Sequence, residues 1–271
     1  MRTKMKRIFF LISILCLASC VSQARHLVII HTNDTHSHLD ATRDGKWGVI
    51  ERAAFIDSVR RAEGRRNVLL LHAGDFNQGS PYYTVLKGSL EVDLVNALEY
   101  DCIALGNHEF DNGIEDLTAR AAKIKSDILC ANYDFSSFEL GRYVKPYTII
   151  RRGGYKIGII GLLTNIKRVV SVETADRIPM VGGSNAEVVN KWSSYLKNTE
   201  HCDLVLCLTH IGFNEDKELA SQIHDVDAII GGHSHTHISE PAYVTNADGK
   251  AIPIVSDWEW GKTMGLLKID D

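Results

Sequence analysis

The sequence has little proline and lacks an apolar run long enough to cross a bilayer. Only 5 of its 271 residues are proline, while 45% are hydrophobic and 24% are charged. These values exclude a collagen-like or disordered chain and are typical of a folded globular protein. The apolar run at residues 8–17 is shorter than the roughly 20 residues that a membrane-spanning helix needs.

That apolar run has the features of an export signal. Four basic residues precede it, namely Arg2, Lys4, Lys6 and Arg7. It ends in Leu17-Ala18-Ser19-Cys20, which resembles the lipobox of bacterial lipoproteins, where the cysteine is acylated and becomes the first residue. The alternative is an ordinary signal that is cleaved near Ala18 or Ala24, with Cys20 incidental.

The lipobox interpretation divides the chain into three parts. We expect residues 1–19 to be a lipoprotein signal peptide, residues 20–25 a tether that is lipidated at Cys20, and residues 26–271 the folded domain. The protein is then expected to be exported and held by a lipid anchor in the cell envelope, facing the periplasm or the cell surface. The anchor would be its contact with the membrane.

Positive charge and cysteine are both scarce after the leader. Without residues 1–19 the chain has 26 Lys and Arg against 34 Asp and Glu, a net charge of −8. The sequence therefore has no basic stripe for a phosphate backbone, and we expect no nucleic-acid partner. The remaining cysteines lack the CxxC spacing of zinc and redox sites: Cys102, Cys130, Cys202 and Cys207. Export permits disulfides, but the apolar surroundings of Cys102, Cys130 and Cys207 favour core thiols.

Short apolar runs alternate with segments of helical period, and this rhythm predicts an α/β fold. Strands are predicted at residues 27–31, 68–71, 102–105, 128–131, 147–150, 156–162, 204–208, 228–230 and 264–269. Helices are predicted at residues 49–63, 90–99, 114–126, 185–198 and 217–223, the fourth preceded by a capping box of Ser184 and Glu187. Residues 152–155 are predicted to form a hairpin turn. No repeat or linker interrupts residues 26–271, so we expect a single domain.

Polar side chains follow five of the predicted strands. They lie at residues 31–38, 72–79, 106–111, 209–212 and 231–235. Ligands of α/β sheets bind beyond the carboxyl ends of the strands, so these loops are expected to meet in one crevice. Aspartate, histidine and asparagine offer oxygen and nitrogen ligands that suit Mn, Fe, Zn or Co better than copper.

Alternate residues of an extended segment face the same side of the chain. On this basis Asp34 with His36, and His233 with His235, are each predicted to direct two ligands into one cavity. Glycines beside these residues, such as Gly74 and Gly106, would allow the backbone to turn sharply.

The motifs HTNDTHSH, GDFNQG, GNHEFD, THIG and GGHSH occur in this order across most of residues 27–237. In this the sequence resembles the calcineurin-like metallophosphoesterases, and among them the N-terminal metal domain of the bacterial 5'-nucleotidase and UDP-sugar hydrolase branch. The resemblance implies an α/β fold, a single-domain layered sandwich of two mixed β-sheets flanked by helices.

The resemblance also implies two divalent metal ions, which could be Mn, Zn, Fe, Co or Ca. Asp34, His36 and His235 would bind one ion, Asn107, His210 and His233 the other, and Asp75 would bridge both. His108 and Asp111 would form a catalytic pair, and Asn107 and His108 would also bind the substrate phosphate. Two cations that share a carboxylate can activate a water for in-line attack on a phosphoryl group.

The resulting expectation is an exported two-metal phosphoesterase that hydrolyses phosphate monoesters of nucleotides. The alternatives are a hydrolase of 2',3'-cyclic nucleotides or UDP-sugars, and a surface lipoprotein that binds a ligand without catalysis. Many members of this branch carry a further C-terminal domain that stacks the nucleobase. The sequence ends at Asp271 without one, so a separate protein that carries such a domain is a further expected partner.

Other polar and aromatic residues near the motifs have open roles. His38, His72 and His237 are candidates for hydrogen bonds that hold metal ligands in place. Glu109 and Asp40 are expected to be structural or solvated. Residues 258–261 include two tryptophans, which could stack on a ligand but are more simply explained by packing against the sheet.

Overall fold

The computed structural model describes residues 24–270. The predicted signal peptide and Cys20 therefore lie outside the described residues, as does the first part of the predicted tether. Within residues 24–270, none of the helices combines the length and the apolar character that crossing a membrane requires.

The first of two β-sheets contains six strands, five from the first half of the described chain and one from its C-terminal end. They are β1 (His26–Thr32), β2 (Val68–His72), β3 (Cys102–Ala104), β4 (Asp127–Leu129), β5 (Val144–Lys145) and β12 (Gly265–Asp270). Their order is β12-β1-β2-β3-β4-β5. Strand β12 runs antiparallel to β1, and the other neighbours are parallel, so the sheet is mixed.

The second sheet also has six strands and a parallel centre. They are β6 (Tyr147–Arg152), β7 (Tyr155–Leu163), β8 (Leu204–His210), β9 (Ala228–Gly231), β10 (Ala242–Thr245) and β11 (Ala251–Ser256). Their order is β10-β11-β9-β8-β7-β6. The two outer strands, β6 and β10, are antiparallel to their neighbours, and the predicted turn at residues 152–155 joins β6 to β7.

Residues 24–270 form seven α-helices, most of which pack against the outer faces of the sheets. They are α1 (Val49–Glu63), α2 (Pro81–Leu86), α3 (Ser89–Leu98), α4 (Gly113–Ala121), α5 (Val172–Ala175), α6 (Asn185–Asn198) and α7 (Phe213–Ala220). The bounds of α1 and α6 are as predicted, and the capping box of α6 is present. Helix α7 begins earlier than predicted, with Glu215 and Asp216 in its first turn, where negative charge favours a helix N-terminus.

Side-chain alternation along the strands separates the core into three layers. In β1, Leu27 and Ile29 pack between the two sheets, whereas Val28 and Ile30 pack beneath α1, α3 and α4. The second sheet packs its outer face against α6 and α7 in the same way. Burial of each such side chain contributes roughly 1.5–3 kcal/mol.

The predicted sandwich of two mixed sheets flanked by helices is therefore confirmed. The four described cysteines are buried and form no disulfide, which agrees with the expectation of core thiols for Cys102, Cys130 and Cys207.

Candidate two-cation centre

The loops that follow the parallel strands meet at one edge of the molecule. The loop after β1 is hydrogen bonded to the loop after β2, because the amide of Asp34 donates to Gly74 O at 3.0 Å and that of His36 donates to Asp75 O at 3.1 Å. The parallel pairing of β1 with β2 continues into these bonds. Asp34 and Asp75 are thereby held side by side.

Five of the seven predicted metal ligands have a left-handed backbone. The φ angles are +47° for Asp34, +46° for His36, +57° for Asp75, +81° for His233 and +51° for His235. The prediction that Asp34 with His36, and His233 with His235, lie in extended segments is therefore wrong. Each pair does direct its side chains into one site, but through tight turns of a conformation that is uncommon outside glycine and clusters at functional sites.

A first group of three ligand candidates comes from both sheets. Asp34 and His36 follow β1, and His235 follows β9. The Nε2 atoms of His36 and His235 are 3.0 Å apart, and Asp34 Oδ1 lies 3.7 Å from the first and 3.3 Å from the second. One nitrogen or oxygen from each residue can therefore contact a single ion.

A second group is built around Asp75, which follows β2. His210 Nε2 lies 3.0 Å from Asp75 Oδ2, and the rings of His210 and His233 are 5.1 Å apart between centroids. Asp75, His210 and His233 can contact one ion, and Asp75 also groups with His36 and His108. Asp75 therefore lies between the two groups, which is the position that a carboxylate bridging two ions requires.

Two buried oxygen atoms at the site have no hydrogen-bond partner in the described part of the chain. They are Asp34 Oδ1 and Asn107 Oδ1. Three imidazole nitrogens surround Asp34 Oδ1, including His210 Nε2 at 3.9 Å, yet none has the geometry of a hydrogen bond to it. Buried polar atoms almost always have hydrogen-bond partners. Oxygen and nitrogen atoms that lie close together without such partners are suited to bind divalent cations.

The charges at the site favour a positive partner. Burial lowers the pKa of His210, but the carboxylates of Asp75 and Asp34 outweigh it and raise that pKa to about 10. Burial raises the pKa of Asp75, and the charge of His210 more than reverses the effect, so the pKa is lowered. The two buried carboxylates thus stabilise positive charge beside them, and bound cations would supply it.

His108 and Asp111 form the predicted pair at the mouth of the site. His108 Nδ1 is 2.9 Å from Asp111 Oδ2, and the His108 ring lies 5.3 Å from that of His36. Burial lowers the pKa of His108, but the hydrogen bond to Asp111 and the charge of Asp75 raise it overall. The side chain is therefore placed to carry positive charge next to the ligand candidates.

Glu109 has a role that the sequence left open between structural and solvated. Its fully buried carboxylate accepts hydrogen bonds from the amides of Gly106, Asp75, Phe76 and Asn77, at 2.6, 3.0, 3.1 and 3.4 Å. A Cβ atom at Gly106 would come within 2.2 Å of Asp75 Oδ1. Glu109 and the lack of a side chain at Gly106 together fix the backbone that carries Asp75.

The remaining histidines near the motifs make no described hydrogen bond to the side chain of a predicted ligand, and two of them contact the loop that follows β1. His72 Nε2 is 3.1 Å from Thr35 Oγ1, and His38 Nδ1 is 2.9 Å from the carbonyl oxygen of His36. His237 stacks on Trp258. Packing therefore explains the tryptophan segment in part, since Trp260 stacks on His38 with 4.4 Å between ring centroids.

One neighbour of the site had no signal in the local sequence. Glu259, which follows β11, has Oε2 at 2.8 Å from His235 Nδ1. The two residues are far apart in the chain, and only the parallel pairing of β11 with β9 brings them together. No spacing rule for metal ligands would have identified this contact.

The sequence and the fold are similar to those of known phosphoesterases. Residues 27–237 match the family described as calcineurin-like phosphoesterase. Human 5'-nucleotidase is 34% identical over 91% of this chain and 47% of its own length. The snake venom 5'-nucleotidase of Naja atra is 34% identical over 90% of this chain and 50% of its own length.

Solved structures give the same result. The 5'-nucleotidase precursor of Thermus thermophilus superposes with a TM-score of 0.81 at 32% identity, over 90% of this chain and 51% of its own. The NAD nucleotidase of Haemophilus influenzae has a TM-score of 0.80 at 27% identity, over 92% and 48%. The chain spans about half the length of the curated relatives it matches. The chain belongs to the calcineurin-like phosphoesterase family, whose fold groups aspartate and histidine side chains to bind two divalent metal ions.

Proposed function

We propose that this domain hydrolyses phosphate monoesters of nucleotides, in the manner of a 5'-nucleotidase. One observation carries the proposal: six potential ligands from four strand ends form two adjoining groups that include Asp34 and Asp75. The buried Asn107 Oδ1, which follows a fifth strand, has no hydrogen-bond partner among the described residues. The assignment of ligands is part of the proposal, with Asp34, His36 and His235 at one cation, Asn107, His210 and His233 at the other, and Asp75 shared. The names of the similar proteins support the class of substrate.

The chemistry follows from the charges that these residues hold in place. When bound, two divalent cations polarise phosphoryl oxygens and lower the pKa of a bound water. The buried carboxylates of Asp34 and Asp75 would fix the positions of the two cations, because hydrogen bonds join the loops that carry them. The remaining negative charge of a phosphoryl group would face the His108 side chain.

We assign His108 to the substrate phosphate and Asp111 to its orientation. The contact at Nδ1 holds a proton on that nitrogen, so Nε2 is directed away from Asp111. A protonated His108 would place positive charge on the phosphoryl oxygens, where the transition state gathers negative charge. Asn107 precedes His108 in the same turn and would contact the same phosphate.

The test uses the purified full-length protein with Mn²⁺ and four substrates. AMP, UDP-glucose, bis-p-nitrophenyl phosphate and 2',3'-cyclic AMP separate monoester, diphosphate, diester and cyclic-ester hydrolysis. We expect AMP to give the highest kcat/KM for release of phosphate. Preference for one of the other three would replace the monoester assignment. Binding of two Mn²⁺ per chain without turnover of any ester would favour a non-catalytic binding protein.

The position of the protein in the cell is a separate proposal. We infer that residues 1–19 are removed, that residues 20–25 form a tether, and that Cys20 carries the lipid anchor of the domain at residues 26–271. The support is the basic start, the apolar run and the small residues before Cys20. Mass spectrometry of the mature N-terminal peptide should find an acylated Cys20, and Cys20→Ser should release the protein from membranes. An unmodified N-terminus near Ala24 would contradict the anchor.

Base recognition is proposed to involve a separate protein that carries a nucleobase-binding domain. The support is that the nucleotidases named above extend well beyond the part that this chain matches. Affinity purification of the tagged full-length chain from its native cells should recover such a protein. If the isolated chain alone discriminates AMP from simple phosphate esters, this partner is not needed.

A further inference from the structure

The loop that follows β11 closes one side of the site. The amide of Trp260 donates to Asp34 O at 2.6 Å, and the side chain of Asn33 donates to Trp258 O at 2.8 Å. Between these anchors, Glu259 reaches His235 with 2.8 Å between Oε2 and Nδ1. The loop is thus fixed at both sides of this contact.

The carboxylate of Glu259 is also held from its other oxygen. Lys262 Nζ lies 2.8 Å from Glu259 Oε1, and the same ammonium group lies 4.4 Å from the ring centroid of Trp258 and 3.9 Å from that of Trp260. The side chains of Glu259 and Lys262 are each 17% exposed. Cation–π contacts and an ion pair therefore leave the carboxylate little freedom to turn away from His235.

His235 differs from the other predicted histidine ligands in this respect. His36 Nδ1 is 3.2 Å from Asn77 O, and His210 Nδ1 is 2.6 Å from Ala73 O, so both face a backbone carbonyl. Within residues 24–270, His235 alone among the four has its second ring nitrogen on a carboxylate. A carboxylate behind an imidazole fixes the tautomer and makes the ligating nitrogen more basic.

We infer that Glu259 is the positioning residue for His235 and strengthens the cation position formed by Asp34, His36 and His235 over the one formed by Asn107, His210 and His233. With the proton held on Nδ1, the Nε2 lone pair of His235 faces Asp34 and His36. The inference rests on the ligand assignment of the proposed function. It adds that the two positions differ in affinity, and it names the cause.

The test is a Mn²⁺ titration of the metal-free full-length protein by calorimetry, with electron paramagnetic resonance to distinguish single from paired ions. The wild-type protein should bind two Mn²⁺. Glu259→Met removes the acceptor at similar size and should weaken one of the two positions by about 10–100-fold while leaving the other unchanged. Glu259→Gln keeps an acceptor oxygen, so it should recover part of the lost affinity.

Glu215→Gln is the matched control. Glu215 is exposed, lies near enough to His233 to affect its pKa through charge, and makes no described hydrogen bond to a predicted ligand. Its loss removes one negative charge from the side of the site that contains His233, so an unchanged titration would show that loss of a nearby negative charge alone does not weaken binding. In NMR spectra of the metal-free protein, the ring nitrogens of His235 should show the Nδ1–H tautomer, and Glu259→Met should abolish this preference.

The outcomes separate this inference from the proposed function. Equal Mn²⁺ affinities in Glu259→Met and wild type, or equal weakening of both positions, would overturn the role of Glu259 even if AMP is hydrolysed. Should wild type bind two Mn²⁺ without hydrolysing any ester, while Glu259→Met weakens only one of the two positions, the nucleotidase proposal fails and the inference stands. If Glu259→Met does not fold, Glu259→Gln is compared with Glu215→Gln. Weakening of one Mn²⁺ position in Glu259→Gln alone would support the inference, and equal Mn²⁺ affinities in the two variants would overturn it.

Discussion

Aspartates at the two ends of the parallel strands have opposite surroundings. At the amino ends, Asp203 and Asp227 come directly before β8 and β9. Asp203 accepts from the amide of Lys156 at 2.7 Å and pairs with Arg25 at 2.9 Å. Asp227 accepts from the amide of Val205 and from Lys197 Nζ, both at 2.8 Å. Each of these acids joins neighbouring strands and has a cationic partner within the protein.

At the carboxyl ends the acids lack such partners. Asp34 and Asp75 are surrounded by histidines, no lysine or arginine pairs with either of them in the described residues, and Asp34 Oδ1 has no hydrogen bond. Aspartate therefore stabilises the fold at the amino ends of the strands, whereas at the carboxyl ends it is available to bind cations. Substitutions at the two ends should separate stability from catalysis.

The largest effect is expected for Asp75→Asn. Loss of the shared negative charge should remove bound metal and lower kcat/KM for AMP by more than about 10²-fold, because the cations supply most of the electrostatic stabilisation. Elemental analysis and phosphate release measure the two effects. Far-UV circular dichroism should stay at the wild-type signal. Phosphate release at the wild-type rate would contradict the bridging role.

His108→Gln should lower activity without removing metal. The variant loses the positive charge that faces the phosphoryl group, and we expect kcat to fall by roughly 10²–10³-fold. Elemental analysis should still find two cations per chain, unlike in Asp75→Asn. A variant that loses its cations as well would show that His108 acts at the metal rather than at the substrate.

Asp227→Ala tests the opposite end of the strands. It removes the bonds to Val205 and Lys197 from a partly exposed site, so the free energy of unfolding should fall by about 1–2 kcal/mol. Urea denaturation measures the loss. Activity per folded molecule and metal content should remain those of wild type. A lower kcat in a variant with full metal content would contradict the separation of stability at the amino ends from catalysis at the carboxyl ends.

The smallest expected effect is a pH dependence at His26, also at the amino ends. Hydrogen bonds to Asp270 and then Glu63 raise the pKa of His26. A raised pKa in the folded state stabilises the protein below the unfolded value of about 6.5, and the effect is lost as the pH rises through the folded value. The Tm difference between wild type and His26→Asn should therefore be larger near about pH 5.5 than at pH 9. An equal difference at both values would exclude this titration.

The sequence predicts those elements whose signals are local. Helix α6 has Ser184 and Glu187 at its start, and its predicted bounds are correct. Strands β5, β10 and β11 were not predicted, and β11 contains Pro253, a residue that argues against a strand. Pro253 faces β10, just before the residues that pair with β9, so the ladder to β9 keeps its amide donors.

In the candidate site, too, features with local sequence signals could be predicted and features that depend on tertiary contacts could not. The positions of its residues at strand ends could be predicted, since parallel strands share one polarity. The left-handed turns at Asp34 and His235 could not, because non-glycine residues adopt them only when tertiary bonds such as Trp260 N to Asp34 O require it. The contact of Glu259 with His235 could not be predicted either, because it depends on the pairing of β11 with β9.

Each proposed cation position takes ligands from both sheets, with Asp34 and His36 from the first and His235 from the second. Sliding of one sheet over the other would pull these ligands apart. Packing between the sheets and affinity for metal are therefore linked, and the linkage is reciprocal. A cavity made at Ile159 or Leu208, buried between the sheets, should loosen metal binding although neither side chain is a ligand. Bound ions, in turn, should resist shear between the two halves of the sandwich.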